Sequence, residues 1–493
     1  MADYRVPPEI RALHRPDRTK IKKIRGHYYV YESTSTKQKV PLENGSFVWK
    51  SVTKSGKCLG SITLNDGFIP NGTKLSQDEI TIIEYGEYAM AMKSSETFGK
   101  LKEKFNAKDA NQIYTAAMIV VVKGFTYMQD MSSILEESYL SLVFPDVRVG
   151  EDALRTLYEN LGKRRLRVDA FEQELIDGSS KKISFDGHVI ACTSEKNDLS
   201  AFGYKAAKLN SEQMNWMTVY DLETGKPLAS EMFNGADPDK TVVAQFFDRF
   251  TFKDTLFVVD RGFNTTAVKA LMSENGNTYI MPMIQNRSDY NLVYNQIKFD
   301  KRRCFVYDKD GYSSLIYYQD FAEKESRYIA YLDTTRQSAE RVTYIKKMNA
   351  GKKGYTEQGL REHEKDFGLF LIETSDRTKT AKEVFSDYKS RWGIETFYDY
   401  IDNTIDFNSL YQQDYNKIEG LSFVIQVAGM IHQELKSFVE RHDHSLKNVM
   451  KTLRGLHLSK EKGKWNLKNN VKEKRALAEL FDISLCPQII SPA

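Results

Sequence analysis

Residues 254–263 read DTLFVVDRGF, and this stretch decides the predicted fold. The apolar run from Leu256 to Val259 has the length of a buried strand, and it ends at an Asp-Arg-Gly turn. Upstream lie a strand in KISFDGHVIAC, a hairpin in WMTVYDLETGKPLASEMF with its turn at residues 223–225, and a helix in ADPDKTVVAQFFDRF with Asp237 as its N-cap. The order strand, hairpin, helix, strand predicts an α/β domain.

The composition is that of a globular protein without a membrane span. It is 41% hydrophobic and 12% aromatic, which is enough to bury sizeable cores. The first thirty residues are charged throughout, so we expect no secretory signal. The longest apolar runs, AAMIVVV and LSFVIQVAGMI, fall well short of the ~20 residues that a transmembrane helix needs. Four widely separated cysteines show no pairing or metal-ligand spacing, which indicates a reduced, cytoplasmic setting with no membrane partner.

The spacing of apolar and polar residues changes along the chain, and we divide the chain into regions at these changes. Short alternating runs predict strands, and apolar residues at spacings of three and four predict helices. The six predicted regions are a basic β-rich N-terminal module (1–75), a helical region (76–178), the first part of the α/β domain (179–286), a β-rich insertion (287–376), the second part of the α/β domain (377–440) and a basic helical C-terminal tail (441–493). We also predict a helix near residues 335–348 of the insertion, and a helix that starts at a Thr380–Glu383 capping box and runs through Glu395.

Positive charge collects at the two ends of the chain. Residues 1–60 contain 13 Lys and Arg against 5 Asp and Glu, and residues 447–475 contain 10 against 2. Since the whole chain carries only +4, the remaining residues are net acidic. Basic ends around an acidic middle suit a polyanionic partner held by the ends. Ordinary solvated lysines explain the charge distribution equally well.

Three acidic residues are candidates for a common site. Asp186 is expected at the end of its strand, in the Asp-Gly pair of SFDGH, and Asp260 follows the apolar run of DTLFVVDRGF. Glu395 lies in YKSRWGIETFYDYIDN, residues 388–403, which reads as a helix. Each acid alone has an ordinary explanation, as a turn former or a solvated helix residue. Together they could hold two divalent ions through carboxylate oxygens, an arrangement that serves phosphodiester chemistry.

The predicted helix around Glu395 adds a pattern of its own. At 100° per residue, one face carries Tyr388, Arg391, Glu395, Tyr398 and position 402. A cation one turn before an acidic metal ligand could hold a neighbouring phosphate. A surface ion pair between Arg391 and Glu395 explains the spacing of those two residues equally well.

With these residues identified, the chain resembles the DDE insertion-sequence transposases that carry a Y-R-E-K signature. The signature is Tyr, two residues, Arg, three residues, Glu, six residues, Lys, and Tyr388, Arg391 and Glu395 match it in identity and spacing. VVDRGF is similar to the second-aspartate motif of that family, and SFDGH occupies the place of the first. The β-rich insertion fits as well, and so do LGSITLNDGFIPNG and the helices after it. The signature lysine falls at Asp402, which is a departure from the family pattern.

The resemblance implies a ribonuclease H-like fold, with a mixed sheet and helices interrupted by the β-rich insertion. It implies a DNA transposase of a bacterial insertion sequence, which binds terminal inverted repeats and target DNA and catalyses strand cleavage and strand transfer, with a homodimer as the active complex. The implied catalytic residues, which are also the ligands of two Mg²⁺ or Mn²⁺ ions, are Asp186, Asp260 and Glu395. The implied DNA-binding residues are Tyr388, Arg391, Arg261 and Trp392.

Two other functions remain open from the sequence. One is a non-catalytic DNA-binding protein, decayed or repurposed from a transposase, which Asp402 favours because the signature lysine is missing. The other is a divalent-metal nuclease without strand transfer. We expect Asp402 to lie two helical turns from Glu395 and to face DNA phosphate, with Lys205, Arg261 or Lys417 offsetting part of the lost attraction. On that hypothesis Asp402→Lys would tighten binding to the DNA ends.

Four further side chains have two interpretations each. His188 lies two residues after Asp186, so it would share the same strand face and could reach a metal, or it is a satisfied structural histidine. The HDH run at His442 and His444 could bind a metal or form a solvated cluster. Trp392 could stack on a displaced base or pack in the core.

Overall fold

The computed structural model describes residues 6–41, 47–65, 67–71, 81–192, 194, 196–202, 212–285, 287–309, 311–322, 326–407, 409–410, 412–461 and 464–484. The chain divides into two compact units, Met1–Thr81 with Lys460–Lys464 and Ile82–Ser459 with Trp465–Ala493. Within the described ranges, no helix is long and apolar enough to cross a bilayer. The boundaries of the six regions drawn from the sequence stay predictions.

The first unit is an antiparallel sheet with one short helix. The sheet has the strand order β1-β2-β3-β4, and a small core forms around Ile10, Ile21, Val30 and Ile62. Its elements are α1 (Pro8–Ala12), β1 (Thr19–Ile24), β2 (His27–Pro41), β3 (Phe47–Thr63) and β4 (Gly67–Pro70). The alternating runs of the sequence therefore form strands, as predicted.

Helices dominate the start of the second unit. The apolar run TAAMIVVV, whose residues 115–119 are fully buried, lies in a helix that packs against the long helix α16 (Tyr415–Glu440). The elements of this part are β5 (Thr81–Glu84), α2 (Gly86–Ala91), α3 (Ser95–Lys104), α4 (Ala107–Lys123), α5 (Met131–Glu136), α6 (Leu140–Val143), α7 (Glu151–Lys163) and α8 (Arg165–Asp177). The helical region that precedes the α/β sheet in the predicted fold is confirmed.

A mixed sheet forms the centre of the second unit. Three strands make an antiparallel meander, β6 (Lys182–Cys192), β7 (Gln213–Asp221) and β8 (Pro227–Asn234), and two more, β9 (Leu256–Val258) and β10 (Thr278–Pro282), run parallel to β6. The parallel strands need crossover helices, which are α9 (Asp239–Arg249) and α10 (Thr266–Leu271). The order β8-β7-β6-β9-β10 confirms the predicted ribonuclease H-like α/β sheet.

The insertion extends this sheet. Strand β14 pairs antiparallel with β10, and β13, β12 and β11 follow it outward in antiparallel order. The elements are α11 (Ser288–Tyr294), β11 (Cys304–Lys309), β12 (Tyr312–Ala322), β13 (Arg327–Asp333), α12 (Thr334–Asn349), α13 (Glu357–His363) and β14 (Leu369–Thr374). Helix α12 confirms the helix predicted near residues 335–348.

The predicted helix through Glu395 is divided in two. The capping box at Thr380 and Glu383 starts α14 (Ala381–Ser390), as predicted. Arg391 then forms a joint, α15 (Trp392–Tyr400) follows, and the chain continues into a π-helical turn (Ile401–Ile405). Gly393, a weak helix former, lies next to the joint. The helix expected to run unbroken through Glu395 is therefore interrupted at Arg391, and positions beyond Tyr400 do not follow the 100° spacing that was used to place Asp402.

Three other local expectations were wrong. Asp186 lies in the middle of β6, so its Asp-Gly pair makes no turn. Pro238 is the N-cap of α9, one residue after Asp237, which was expected there. The C-terminal tail, expected to be helical, also contains two strands, because its lysines alternate with apolar residues around Trp465. The elements of the tail are α17 (Leu446–Leu453), β16 (His457–Glu461), β17 (Lys464–Lys468) and α18 (Lys472–Leu480). Before α16, the short strand β15 (Ser409–Leu410) pairs with β6.

A buried ionic network joins α8 to α16. Arg165 Nη1 donates to Glu419 Oε2 at 2.8 Å, and Arg165 Nη2 donates to Glu172 Oε2 at 3.1 Å. Both glutamates are almost fully buried. Burial raises the pKa of Glu172 to about 7 and the pKa of Glu419 to about 8, although the charge of Arg165 opposes both shifts. The two acids therefore depend on Arg165 for charge compensation.

Candidate active site

Strand register brings Asp186 and Asp260 to the same level of the sheet. Parallel strands β6 and β9 pair with Ile183 opposite Phe257, and each aspartate lies three residues further along its own strand direction. Adjacent strands lie about 4.8 Å apart. Two acids that are 74 positions apart in sequence therefore become neighbours at one edge of the parallel part of the sheet.

Side-chain alternation turns both aspartates toward α14 and α15. Phe185 of β6 packs against Phe246 and Phe247 of α9, so its neighbour Asp186 points to the opposite face of the sheet. On β9, Val258 packs in one hydrophobic cluster with residues of α14. Asp260 lies two residues after Val258, so its side chain is expected on the same face of the sheet. That face is the one covered by the helices that carry Arg391 and Glu395.

Gly187 lets strand β6 continue beyond Asp186. A Cβ atom at Gly187 would lie 2.6 Å from Oδ1 of Asp239 and 2.8 Å from Oδ1 of Asn215. Asn215 Nδ2 donates to Asp239 Oδ1 at 2.7 Å, so both side chains are fixed over the glycine. The glycine that suggested a turn in the sequence instead provides room for a polar pair beside Asp186.

Arg391 lies among all three candidate acids. Its Nη1 and Nη2 atoms both donate to Glu395 Oε1, each at 3.2 Å. Burial of the guanidinium disfavours its charge, but the negative charges of Asp260, Asp186 and Glu395 outweigh burial and raise the pKa of Arg391. The side chain is only 13% exposed. The acids therefore share one electrostatic environment, with a single guanidinium as their common partner.

Tyr388 supports Arg391 from α14. Its ring packs against Phe370 of β14, with ring centroids 6.0 Å apart, so the insertion holds the signature tyrosine in place. Burial raises the pKa of the Tyr388 hydroxyl, and the nearby charge of Asp260 raises it further. Tyr388 therefore lies between the insertion and the acids, with its hydroxyl protonated at neutral pH.

A chain of contacts links Asp402 to the backbone of Asp186. Asp402 Oδ1 accepts a hydrogen bond from His188 Nε2 at 2.8 Å. The His188 ring stacks on Tyr398 with centroids 4.6 Å apart, and the Tyr398 hydroxyl donates to the Asp186 carbonyl oxygen at 2.8 Å. These contacts tie the π-helical turn and α15, the helix of Glu395, to the strand that carries Asp186.

The position of Asp402 differs from the expectation. The π-helical turn rotates Asp402 toward His188 on β6, so its carboxylate pairs with protein and does not face outward as an unpaired charge. His188 is thus a paired histidine, which is the structural interpretation of the sequence. The alternation of β6 placed His188 on the face of Asp186, but no sequence signal indicated its partner 214 residues away.

The remaining candidate residues lie in different surroundings. Trp392 is 68% exposed, so it is not part of the core. Arg261 is exposed in the short helix after Asp260. His442 and His444 are exposed in the turn after α16 and contact the ring of Phe481, with no extended strand at this position. Of the cations expected to offset Asp402, Lys205 lies outside the described residues, and Lys417 is in the first turn of α16.

The donor chemistry of the acids fits hard divalent cations, but the acids are arranged around Arg391. Within the ranges given above, no three His, Cys, Asp or Glu side chains form a closed metal-binding group. Asp186 Oδ1 accepts the Gly187 N–H at 3.0 Å, and Asp260 Oδ1 accepts the Arg261 N–H at 2.7 Å. Carboxylate oxygen is the ligand that Mg²⁺ and Mn²⁺ prefer.

Comparisons with known proteins identify the family. The chain is similar in part to a piggyBac transposase, solved by cryo-EM in a synaptic complex with hairpin DNA, at 11% identity and a TM-score of 0.38 over 81% of this chain and 83% of that one. A search of curated proteins gives no match. A sequence model described as the transposase DDE domain matches residues 177–428, a span that contains Asp186, Asp260 and Glu395. Because this span covers just over half of the 493 residues, the chain belongs to the transposase DDE domain family.

Proposed function

We propose that this protein is the DNA transposase of a bacterial insertion sequence, which cleaves the element's ends and transfers the strands through Asp186, Asp260 and Glu395. The observation that carries the proposal is the environment of Arg391. Glu395 of α15 accepts two hydrogen bonds from this guanidinium, and strand register sets Asp186 of β6 level with Asp260 after β9, so that the charges of all three acids act on Arg391. Carboxylates that converge on one guanidinium at the end of parallel strands mark a candidate functional site.

The three acids would hold two Mg²⁺ or Mn²⁺ ions. When bound, these ions would activate a water or a 3′-hydroxyl and stabilise the leaving oxygen of a phosphodiester. Asp186 and Asp260 would bind from the sheet, and Glu395 would bind from α15. Arg391 would then exchange a bond to Glu395 for a phosphate, because its planar guanidinium can donate two parallel hydrogen bonds to phosphate oxygens.

The partners follow from the same proposal. Terminal inverted repeats and target DNA would contact Arg391, Tyr388, Arg261 and the exposed Trp392, and the basic ends of the chain would add phosphate contacts. We further propose a homodimer as the active complex and the cytoplasm as its location. The pairing of Asp402 with His188 supports an active enzyme, since it gives Asp402 a role inside the fold and removes it as a sign of decay.

A product assay tests this function. Purified protein, a duplex that carries the element's ends, and a target plasmid are incubated with Mg²⁺ or Mn²⁺, and cleaved and inserted products are separated on a gel. We expect Asp186→Asn, Asp260→Asn and Glu395→Gln each to abolish both products while end binding persists. Asp399→Asn, a change of the same kind at an exposed position of α15, is the control and should retain activity.

The alternatives give different products. Cleaved DNA without insertion would identify a nuclease, and binding by the unaltered protein without either product would identify a non-catalytic derivative. Both results contradict the proposal. Calorimetric titration with Mn²⁺ in the absence of DNA gives an independent readout. Each of the three active-site variants should bind Mn²⁺ more weakly than the Asp399→Asn control, because a ligand oxygen loses its charge.

A further inference from the structure

The first unit carries a long two-stranded ribbon. Strand β1 pairs with β2 only as far as Glu32, and β4 pairs with β3 only from Gly60 onward. Between these limits β2 and β3 pair only with each other, in regular register from Ser33–Ser55 to the last pair at Phe47. Nine residues of β2 at about 3.3 Å each give a ribbon about 30 Å long.

Both faces of this ribbon are open to solvent. From Phe47 to Lys57, ten of the eleven side chains of β3 are exposed, and Val52 is half-buried. Phe47 and Trp49, near the tip, are each 61% exposed. A two-stranded hairpin without a sheet or helix behind it is only marginally stable in water. A ribbon of this length, with exposed aromatic residues, therefore has the features of a binding surface.

The charges of the ribbon favour a polyanionic binding partner. Residues 33–41 and 47–57 contain five lysines and no acidic residue. By the register, Lys37 and Lys39 share one face with Ser51 and Trp49, whereas Lys50 and Lys54 lie on the other face. Pairing with the ribbon of a second copy would bring these lysines together, and like charges oppose such pairing. An occupant with negative charge on both sides of the ribbon fits better.

The ribbon is also rich in small hydroxyl side chains. Serine and threonine occupy seven positions of the ribbon, residues 33–36, 51, 53 and 55, and Ser35 and Ser51 form a hydrogen bond across the strands. Hydroxyls can donate to and accept from either phosphate oxygens or base edges. The major groove of B-DNA accommodates a two-stranded β-ribbon, with a phosphate backbone on each side and base edges on its floor.

We propose that the ribbon of β2 and β3 inserts into the major groove of duplex DNA. Lysines on its two faces contact the two phosphate backbones, and hydroxyl side chains reach the base edges. The aromatic tip packs against the groove wall through Phe47 and Trp49, and Lys39 already lies over both rings in cation–π contacts. The inference rests on the proposed function in taking DNA as the substrate, and it assigns the end-binding element to the first unit.

Salt-dependent binding tests this inference. The double variant Lys37→Gln/Lys54→Gln removes one lysine from each face, and Lys108→Gln/Lys253→Gln removes two exposed lysines of the second unit as a charge-matched control. Both are made in the Asp260→Asn background, with EDTA, so that no DNA is cleaved. Anisotropy of a labelled duplex should show ~10-fold weaker binding for the ribbon variant, and the slope of log K against log salt should fall by about 2. The control should change neither quantity.

Chemical interference tests the groove. Methylation of guanine N7, which lies in the major groove, should block binding at discrete positions in the terminal sequence, and the ribbon variant should lose this pattern. Unchanged affinity and slope in the ribbon variant would overturn the proposal. A change in oligomeric state would also overturn it. If the unaltered protein sediments as a dimer, and the ribbon variant sediments as a monomer with unchanged DNA affinity per chain, the ribbon binds a second copy of the protein.

The two proposals can fail separately. If the unaltered protein cleaves and inserts DNA while the ribbon variant binds normally, only the ribbon inference is wrong. If the ribbon variant loses affinity and salt dependence but the unaltered protein forms no product, only the catalytic proposal is wrong. The circular dichroism spectrum of each variant serves as the folding control. A second ribbon variant, Phe47→Ser/Trp49→Ser, retains all five lysines and should weaken binding without changing the salt slope.

Discussion

Asp402→Lys restores the residue of the family signature, and the structure predicts that it damages the protein. Asp402 accepts a hydrogen bond from His188 at 2.8 Å, and His188 in turn packs on Tyr398. A hydrogen bond to a charged group contributes about 1.5–3 kcal/mol when buried. The side chains of His188 and Asp402 are 18% and 34% exposed, so solvent screening reduces this contribution. We expect a loss of about 1–2 kcal/mol in the free energy of unfolding.

The same change should not strengthen DNA binding. A lysine at position 402 would contact the His188 imidazole. To reach a phosphate, its side chain would have to turn away from strand β6. The contact from Tyr398 to the Asp186 carbonyl would loosen, and strand cleavage should fall. Urea unfolding followed by circular dichroism gives the stability change, and anisotropy at several salt concentrations gives the affinity for the DNA ends. Asp399→Lys, at an exposed position of α15, is the control with an identical charge change.

One result would refute this reasoning. If Asp402→Lys is as stable as the unaltered protein and binds DNA ends 5- to 100-fold more tightly, with the gain shrinking as salt rises, position 402 faces phosphate. That is the outcome expected from the family signature alone. A double-mutant cycle with His188→Gln and Asp402→Asn distinguishes the two views further. A coupling energy of about 1 kcal/mol indicates the pair, and a value near zero argues against it.

Three other changes test the structure at separate places. Arg165→Met should destabilise the fold by about 3–5 kcal/mol, while the exposed Arg155→Met should cost about 0.5 kcal/mol or less in urea unfolding. Arg165 lowers the pKa of both glutamates that face it, so its loss would raise each pKa further and would make the ionised acids harder to bury. The cost of Arg165→Met should therefore be larger at pH 8.5 than at pH 6, and equal costs would contradict this account. Gly187→Ala should lower the free energy of unfolding by about 1–3 kcal/mol, because the added Cβ would collide with two side chains. Gly262→Ala, which has open space around it, should be nearly neutral, and thermal melts compare the two variants. Arg391→Gln should tighten Mn²⁺ binding by calorimetry, since a competing cation is removed, and should also lower cleavage; unchanged Mn²⁺ affinity would place Arg391 away from the metal ligands.

The local sequence was sufficient for most elements of the mixed sheet and its helices. Apolar runs of strand length, the helical spacing of VVAQFF and the Thr380–Glu383 capping box predicted strands and helices that are present. These signals depend on neighbours within one or two turns, so they can be seen along the chain. The ion pair between Arg391 and Glu395, one of two interpretations of their spacing, is present, because four residues make about one helical turn.

Long-range pairing was decided only by the tertiary structure. The register of β6 against β9 places Asp186 beside Asp260, and a shift of one residue would turn either acid to the opposite face. The π-helical turn, invisible in the spacing of the residues, directs Asp402 to His188. Arg165 and Glu419 meet across 254 positions because α8 and α16 pack together. The sequence determined which residue types were available, and strand register and packing determined their partners, since a buried charge is stable only where the fold supplies a counterion.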